Sequence, residues 1–219
     1  MNILELLNDN VDPYAGADKI YGVVVGIVTN NQDPEKLGRV KVKYPWLSDS
    51  EESHWARMAT LMAGKDRGSF YLPEVDDEVL LAFEHGDVRF PYVIGMLWNG
   101  KDTPRYDNGD GKNDQRVITS RSGHEFIFDD NDQKGKVVIH TKKNHIITLD
   151  DSTGSEKISI VDKTGSNSVE IDSTQNSIAI KSTTKLTIES QIIEIKAGGM
   201  MKIEAGATMT IKGAIVMIN

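Results

Sequence analysis

The chain has 219 residues, 33 of them acidic and 25 basic, for a formal net charge of −8 with 38% hydrophobic residues. That composition is ordinary for a soluble protein of one or two domains. It contains no cysteine, which excludes disulfides, thiolate zinc sites and cysteine nucleophiles together, and no apolar run approaches the roughly 20 residues a membrane helix needs.

Residues 1–19 read as an N-terminal arm. Its opening carries Glu5 and Asp9 rather than the basic start of a secretory signal. The apolar cluster Ile3, Leu4, Leu6 and Leu7 reads either as a short amphipathic turn that docks on a partner or as a fraying end.

Residues 20–100 read as a small barrel. Strands are predicted at 21–29, 37–44, 55–61, 78–84 and 91–97, divided by turn-rich segments such as Asn30-Asn31-Gln32-Asp33-Pro34. Val40, Val42 and Tyr44 alternate with Lys41 and Lys43, and Val79, Leu81 and Phe83 fall at every second position. Five short antiparallel strands in about eighty residues predict a barrel of the OB type. Such barrels commonly bind nucleic acid, but phosphate contacts need clustered cations. The first 100 residues hold 9 Lys and Arg against 16 Asp and Glu, a net of −7. Nucleic acid is therefore not an expected partner.

Composition then changes. All six prolines and all three tryptophans lie within the first 104 residues, and residues 101–116, rich in Asp, Asn and Gly, read as a linker. A proline cannot donate to a strand ladder, so a proline-free region from 117 to 219 suits a long paired sheet. From Val137 an apolar–polar–apolar triplet keeps returning. It starts at residues 158, 169, 178, 186, 193, 201, 209 and 216, in steps of 11, 9, 8, 7, 8, 8 and 7. Period-two alternation is a strand signal, and the recurring spacing signals a stack. An octad supplies one short strand and a turn with two inward side chains, too little to enclose a core alone. Three chains crossing the faces of a triangular prism would pair every edge. The fold class expected is thus all-β, an OB barrel followed by an intertwined triple-stranded β-helix over 117–219. Its axis would be filled by Ile160, Ile171, Ile180, Ile188, Ile195, Ile203 and Ile211, with Ser159, Glu170, Thr187, Glu194, Lys202 and Thr210 facing solvent. A single-chain meander is disfavoured, because no Asn-Gly or Asp-Gly hairpin pair follows Val137.

No catalytic, cofactor or metal site is expected. Glu74, Asp76, Asp77 and Glu78 read as a charged turn rather than a catalytic carboxylate pair, since they lack the burial that separates pKa values. His124, His140 and His145 match no compact ligand spacing. Ser120 and Ser122 near His124 lack a Gly-x-Ser-x-Gly elbow. Gly198, Gly199 and Gly206 read as corners between octads.

The string from Gly26 through Thr29-Asn30-Asn31-Gln32-Asp33-Pro34 to Gly38-Arg39-Val40-Lys41-Val42 resembles the OB domain of spike proteins of contractile injection systems. These include the valine-glycine repeat proteins of type VI secretion, baseplate protein V of phages, and spikes of phage-tail-like particles. The resemblance continues through Trp55-Ala56-Arg57, Leu72-Pro73-Glu74-Val75, Phe83-Glu84-His85-Gly86-Asp87 and Pro91 to Gly95. It resumes at Ser122 to Asp130 and covers roughly residues 20–219. One departure is Asp76, where the family pattern implies glycine.

The resemblance implies a structural, non-enzymatic role: the central spike of a phage-tail-like, tailocin or type VI-like particle, driven through a target envelope by sheath contraction. It implies a homotrimer, a separate hub protein at the OB end, and a PAAR-type tip protein on Ile215, Val216, Met217, Ile218 and Asn219. The spike would be assembled into a baseplate in the cytoplasm and delivered outside or into the target envelope, with transient membrane contact. Only nineteen residues precede the OB region and a sixteen-residue linker follows it. A built-in hub or an inserted lysozyme is therefore not expected. The alternatives are a self-contained trimeric adhesin and a β-helical fibre that binds or hydrolyses polysaccharide.

Overall fold

The computed structural model describes residues 19–47 and 51–218, so the arm expected over 1–19 lies outside the described residues except for Lys19. The chain divides into two compact units, one ending at Asp107 and the other starting at Asn108. Among the described residues, strands account for all regular structure except one 3-10 turn at Glu84–Gly86.

The first unit holds β1 (Val24–Asn30), β2 (Lys41–Lys43), β3 (Arg57–Met58), β4 (Ala63–Gly64), β5 (Arg67–Gly68), β6 (Glu78–Phe83) and β7 (Pro91–Met96). Five of them form one sheet in the order β2-β1-β6-β7-β3, antiparallel except for the parallel β3–β7 pair. The sheet closes on itself through Val40 and Ala56, whose amides and carbonyls exchange hydrogen bonds of 3.1 and 2.7 Å. Register shifts in β1 at Val28/Asn30 and in β6 at Leu80/Leu81 supply the bends that closure needs. The alternation read from the sequence fills the barrel: Val28, Val40, Val42, Tyr44, Ala56, Val79, Leu81, Phe83 and Val93 are buried together. The five predicted strands are all present in the sheet, but shorter than the alternation alone suggests. The β4–β5 hairpin was not predicted; its two short strands carry no alternation to read.

Two residues of the family string have clear physical roles here. At Gly26 a Cβ would stand 2.5 Å from Cδ1 of the buried Leu81, so the barrel interior closes only over glycine. The Asp33 carboxylate accepts amide hydrogen bonds from Glu35 and Leu37 and two from the Arg39 guanidinium, at 2.8–3.0 Å. The Arg39 side chain, foremost, holds Asp33 well below the usual carboxylate range. The loop between β1 and β2 is thus tied to its own exit.

Asp76, the departure from the family glycine, has φ +77. It occupies the left-handed region that a glycine enters freely, so the turn geometry is kept while the residue differs.

The second unit contains β8 (Gln115–Thr119), β9 (Glu125–Asp129), β10 (Lys136–His140), β11 (Ile146–Asp150), β12 (Lys157–Val161), β13 (Ser168–Asp172) and β14 (Ser177–Lys181). Each pairs antiparallel with its sequence neighbour in one seven-stranded meander. This corrects the expectation that a single-chain meander is disfavoured after Val137. The loops are longer than two residues, so they do not need an Asn-Gly pair. Five of the six place a single left-handed residue in the turn: Gly123, Asn144, Gly154, Gly165 and Asn176. Aspartates at or next to the strand ends then accept turn amides, as Asp150 does from Ser152, Asp162 from Asn167 and Asp172 from Thr174, at 2.9–3.1 Å. Among the described residues no strand follows Lys181. The meander stops where the triplet spacing contracts from 11 and 9 residues to about an octad.

Candidate functional site

Residues paired across an antiparallel sheet point to the same side, so the register sorts the meander into two faces. One column runs Arg116, Phe128, Val137, Leu149, Ile158, Ile171, Ile178; the next runs Ile118, Phe126, Ile139, Ile147, Ile160, Val169, Ile180. Thirteen of these fourteen residues are apolar. The opposite face is mixed, with Val117, Ile127, Val138, Ile146 and Val161 beside polar residues, and carries a charge ladder in which Asp129, Lys136, Asp150, Lys157 and Asp172 each stand opposite the next. The charge ladder on one side and the apolar columns on the other pin the register, since a slip of one residue would exchange the faces.

The apolar face is bare. Ile160 is 50% exposed, Leu149 45% and Ile180 56%. Only Phe126 and Phe128 touch ring to ring, edge on, with centroids 4.7 Å apart. Seven strands of five residues give a face of roughly 450 Å², already the size of the largest apolar patch a typical monomer exposes, about 300–600 Å². Beyond Lys181 come fourteen more large apolar side chains, from Leu186 to Ile218, between 46% and 89% exposed.

The structure brings Ile160, Ile171 and Ile180 onto this one face, with Ser159 and Glu170 on the other. Ile188, Ile195, Ile203 and Ile211 lie in the strandless segment and are exposed. So are Ile215, Val216, Met217 and Ile218, while Asn219 lies outside the described residues. The sequence reading omitted the face's other members, notably Ile118, Phe126, Phe128, Ile139, Ile147 and Leu149, although the same alternation marks them.

The remaining candidates sit in turns. Asp77 accepts the Glu74 amide at 2.8 Å, and the Asp76 amide and Asp77 carbonyl bond Val28. This acidic cluster therefore ties the turn before β6 to β1. Ser120 Oγ accepts the His124 amide at 3.0 Å within the β8–β9 turn. His140 lies 3.5 Å from Glu125 and 3.0 Å from Asn144 Oδ1. Among the described residues no three His, Asp or Glu are grouped to hold a metal. No helix among them is long and apolar enough to cross a membrane.

Residues 24–98 match the type VI secretion system/phage-baseplate injector OB domain, so the chain carries an injector OB domain. Beyond that domain it is similar to VgrG spike proteins. It is 28% identical over 139 residues to the type VI secretion system spike protein VgrG1b of Pseudomonas aeruginosa, covering 58% of this chain and 19% of that protein. It is likewise 28% identical over 138 residues to spike protein VgrG3 of Vibrio cholerae, covering 58% and 14%. The identity to spike protein VgrG5 of Pseudomonas aeruginosa is 32% over 126 residues, covering 48% and 16%. This chain spans about a fifth or less of the length of these relatives.

Proposed function

We propose that this chain is the structural central spike of a contractile injection machine and works as a homotrimer. The observation that carries the reading is the bare apolar face of β8–β14, continued by fourteen exposed apolar side chains, on a chain whose barrel is an injector OB domain. Three copies can turn these faces inward around one axis. Residues 182–218 have no strand partner in their own chain, and three copies can supply one by pairing between chains. The axis would then hold Ile188, Ile195, Ile203 and Ile211 below Ile160, Ile171 and Ile180. Ten apolar doublets from Val137 to Ile218, each advancing one strand spacing, give a prism about 45–50 Å long.

Its role is mechanical and needs no catalytic group. A hub protein would hold the OB end, and a PAAR-type tip would cover the exposed strand ends and apolar side chains of residues 215–219. The work of envelope penetration would come from sheath contraction, after assembly in the producing cell. Light scattering on the purified chain tests the architecture: the expected mass is three times 24.2 kDa, and a folded monomer overturns it. Truncation after Gly213 should leave the trimer intact and abolish capture of a co-produced tip protein. Undiminished capture would place the tip elsewhere.

A further inference from the structure

Beneath the β4–β5 hairpin the barrel carries a groove of about 980 Å³. Its lining is apolar over Met58, Met62, Phe70, Ile94 and Met96, with Leu61 95% exposed beside them. The wall is ordered rather than loose: Thr60 Oγ1 donates to the Ser69 carbonyl at 2.6 Å, and the Ser69 amide donates to the Met62 carbonyl at 2.9 Å. The only charged side chains in the lining are Lys36 and Arg67, with no carboxylate among them. The chemistry selected is therefore an apolar peptide that carries negative charge.

The chain has one. Residues 1–18 contain Ile3, Leu4, Leu6 and Leu7 together with Glu5, Asp9, Asp12 and Asp18, and no lysine or arginine. Their attachment to the barrel is fixed, because the Ile20 amide donates to the Gly86 carbonyl at 2.8 Å and Lys19 and Ile20 pack over Gly86. Twelve residues separate Leu7 from Lys19, an extended reach of about 40 Å. A barrel of this size is about 30 Å across, so the apolar cluster can reach most of its surface short of the far pole.

We propose that residues 3–7 dock into the groove of their own barrel. This is independent of the trimer, since the groove and the segment belong to the first unit of one chain.

The absence of cysteine makes the test direct. In the full chain, Leu6→Cys is paired with Met62→Cys, or in a control with Val25→Cys, which is exposed on β1 outside the groove. Mild oxidation should link the first pair within one chain in most molecules and the control pair rarely. Adding Arg67→Glu to the first pair should lower its yield. Equal yields for both pairs overturn the docking, as does no link at all, which leaves a separate protein as the occupant. A product of two chains on a denaturing gel overturns docking within one chain and assigns the groove to a neighbouring copy.

Discussion

The two units of this chain treat the same kind of sequence pattern in opposite ways. In the barrel, alternation along β1, β2, β6 and β7 places one side of a curled sheet inward, and Val28, Val42, Val79, Leu81 and Val93 are fully buried within one chain. In the meander, alternation is as regular, yet no second layer covers it, and Ile158, Ile160 and Ile171 stay 39–50% exposed. The difference lies in closure. The register shifts in β1 and β6 and the Val40–Ala56 bridge let five strands bend round on themselves. The seven strands from Gln115 to Lys181 pair without a single register shift. The meander lacks the bulges that bend β1 and its partners, and in one chain its apolar face stays uncovered among the described residues.

The largest expected effect sharpens that contrast. Ile160→Asp would place a carboxylate in the apolar face, once per copy around the proposed axis. Burying an unpaired charge there costs several kcal/mol per copy, so the trimer should be lost and light scattering should report monomer or aggregate. Ser159→Asp, on the opposite face between Thr148 and Glu170, should leave the mass unchanged. Equal effects would mean that the apolar face is not the contact surface.

The converse variant acts on the barrel alone. Gly26→Val forces a side chain against Leu81, where even the first carbon has no room, and overpacking of this kind typically costs about 1–3 kcal/mol. Thermal unfolding should show a lowered transition for the first unit, with the oligomeric mass unchanged. A change of mass would show that the barrel also sets the assembly.

Acid should separate the units more gently. Asp150, Asp162 and Asp172 are all held below the ordinary aspartate range, Asp162 down to about 2, chiefly by hydrogen bonds to Ser152, Asn167 and Thr174 in their turns. Because the folded values are depressed, their stabilisation is complete above the ordinary value of about 3.9 and is lost progressively as pH falls below it. The protection factor of the Asn167 amide, with exchange corrected for its intrinsic pH dependence, should therefore fall between about pH 4 and pH 2. Asp162→Asn, whose carbonyl oxygen still accepts, should flatten that dependence. An unchanged profile would show that the carboxylate is not what orders the β12–β13 turn.

Much of this was legible beforehand, for reasons that can be named. The barrel strands announced themselves because half-buried strands alternate, and Val79, Leu81 and Phe83 need only period two to be placed. Ile160, Ile171 and Ile180 were placed on one face by the same rule. The hairpins were not legible from dipeptides, because loops of four to six residues spread their turn signal over a leading aspartate and one left-handed Gly or Asn. The charge ladder from Asp129 to Asp172 was equally hidden. Its members are 7, 14, 7 and 15 residues apart in sequence and become neighbours only once the antiparallel register is known. The groove under β4–β5 was invisible for a third reason: its lining comes from four separate segments, none with a pattern of its own.

The smallest expected effect concerns Asp76, where the resemblance implied glycine. With φ +77 the residue sits in a region that costs a side chain-bearing residue about 1–2 kcal/mol, somewhat less for aspartate than for bulkier residues. Its backbone is well used: the amide donates to the Val28 carbonyl at 2.9 Å. The side chain makes none of the turn's described bonds, which come from Asp77 accepting the Glu74 amide. Asp76→Gly should therefore relieve strain and keep every hydrogen bond, offset in part by the extra freedom glycine adds to the unfolded chain. The expected outcome is a net stabilisation of about 0.5 kcal/mol, read as a slight rise in the barrel's thermal midpoint, with the meander and the oligomeric mass untouched. Destabilisation by Asp76→Gly would mean that the aspartate side chain itself holds the turn, and that its presence in place of glycine is a structural substitution rather than a tolerated one.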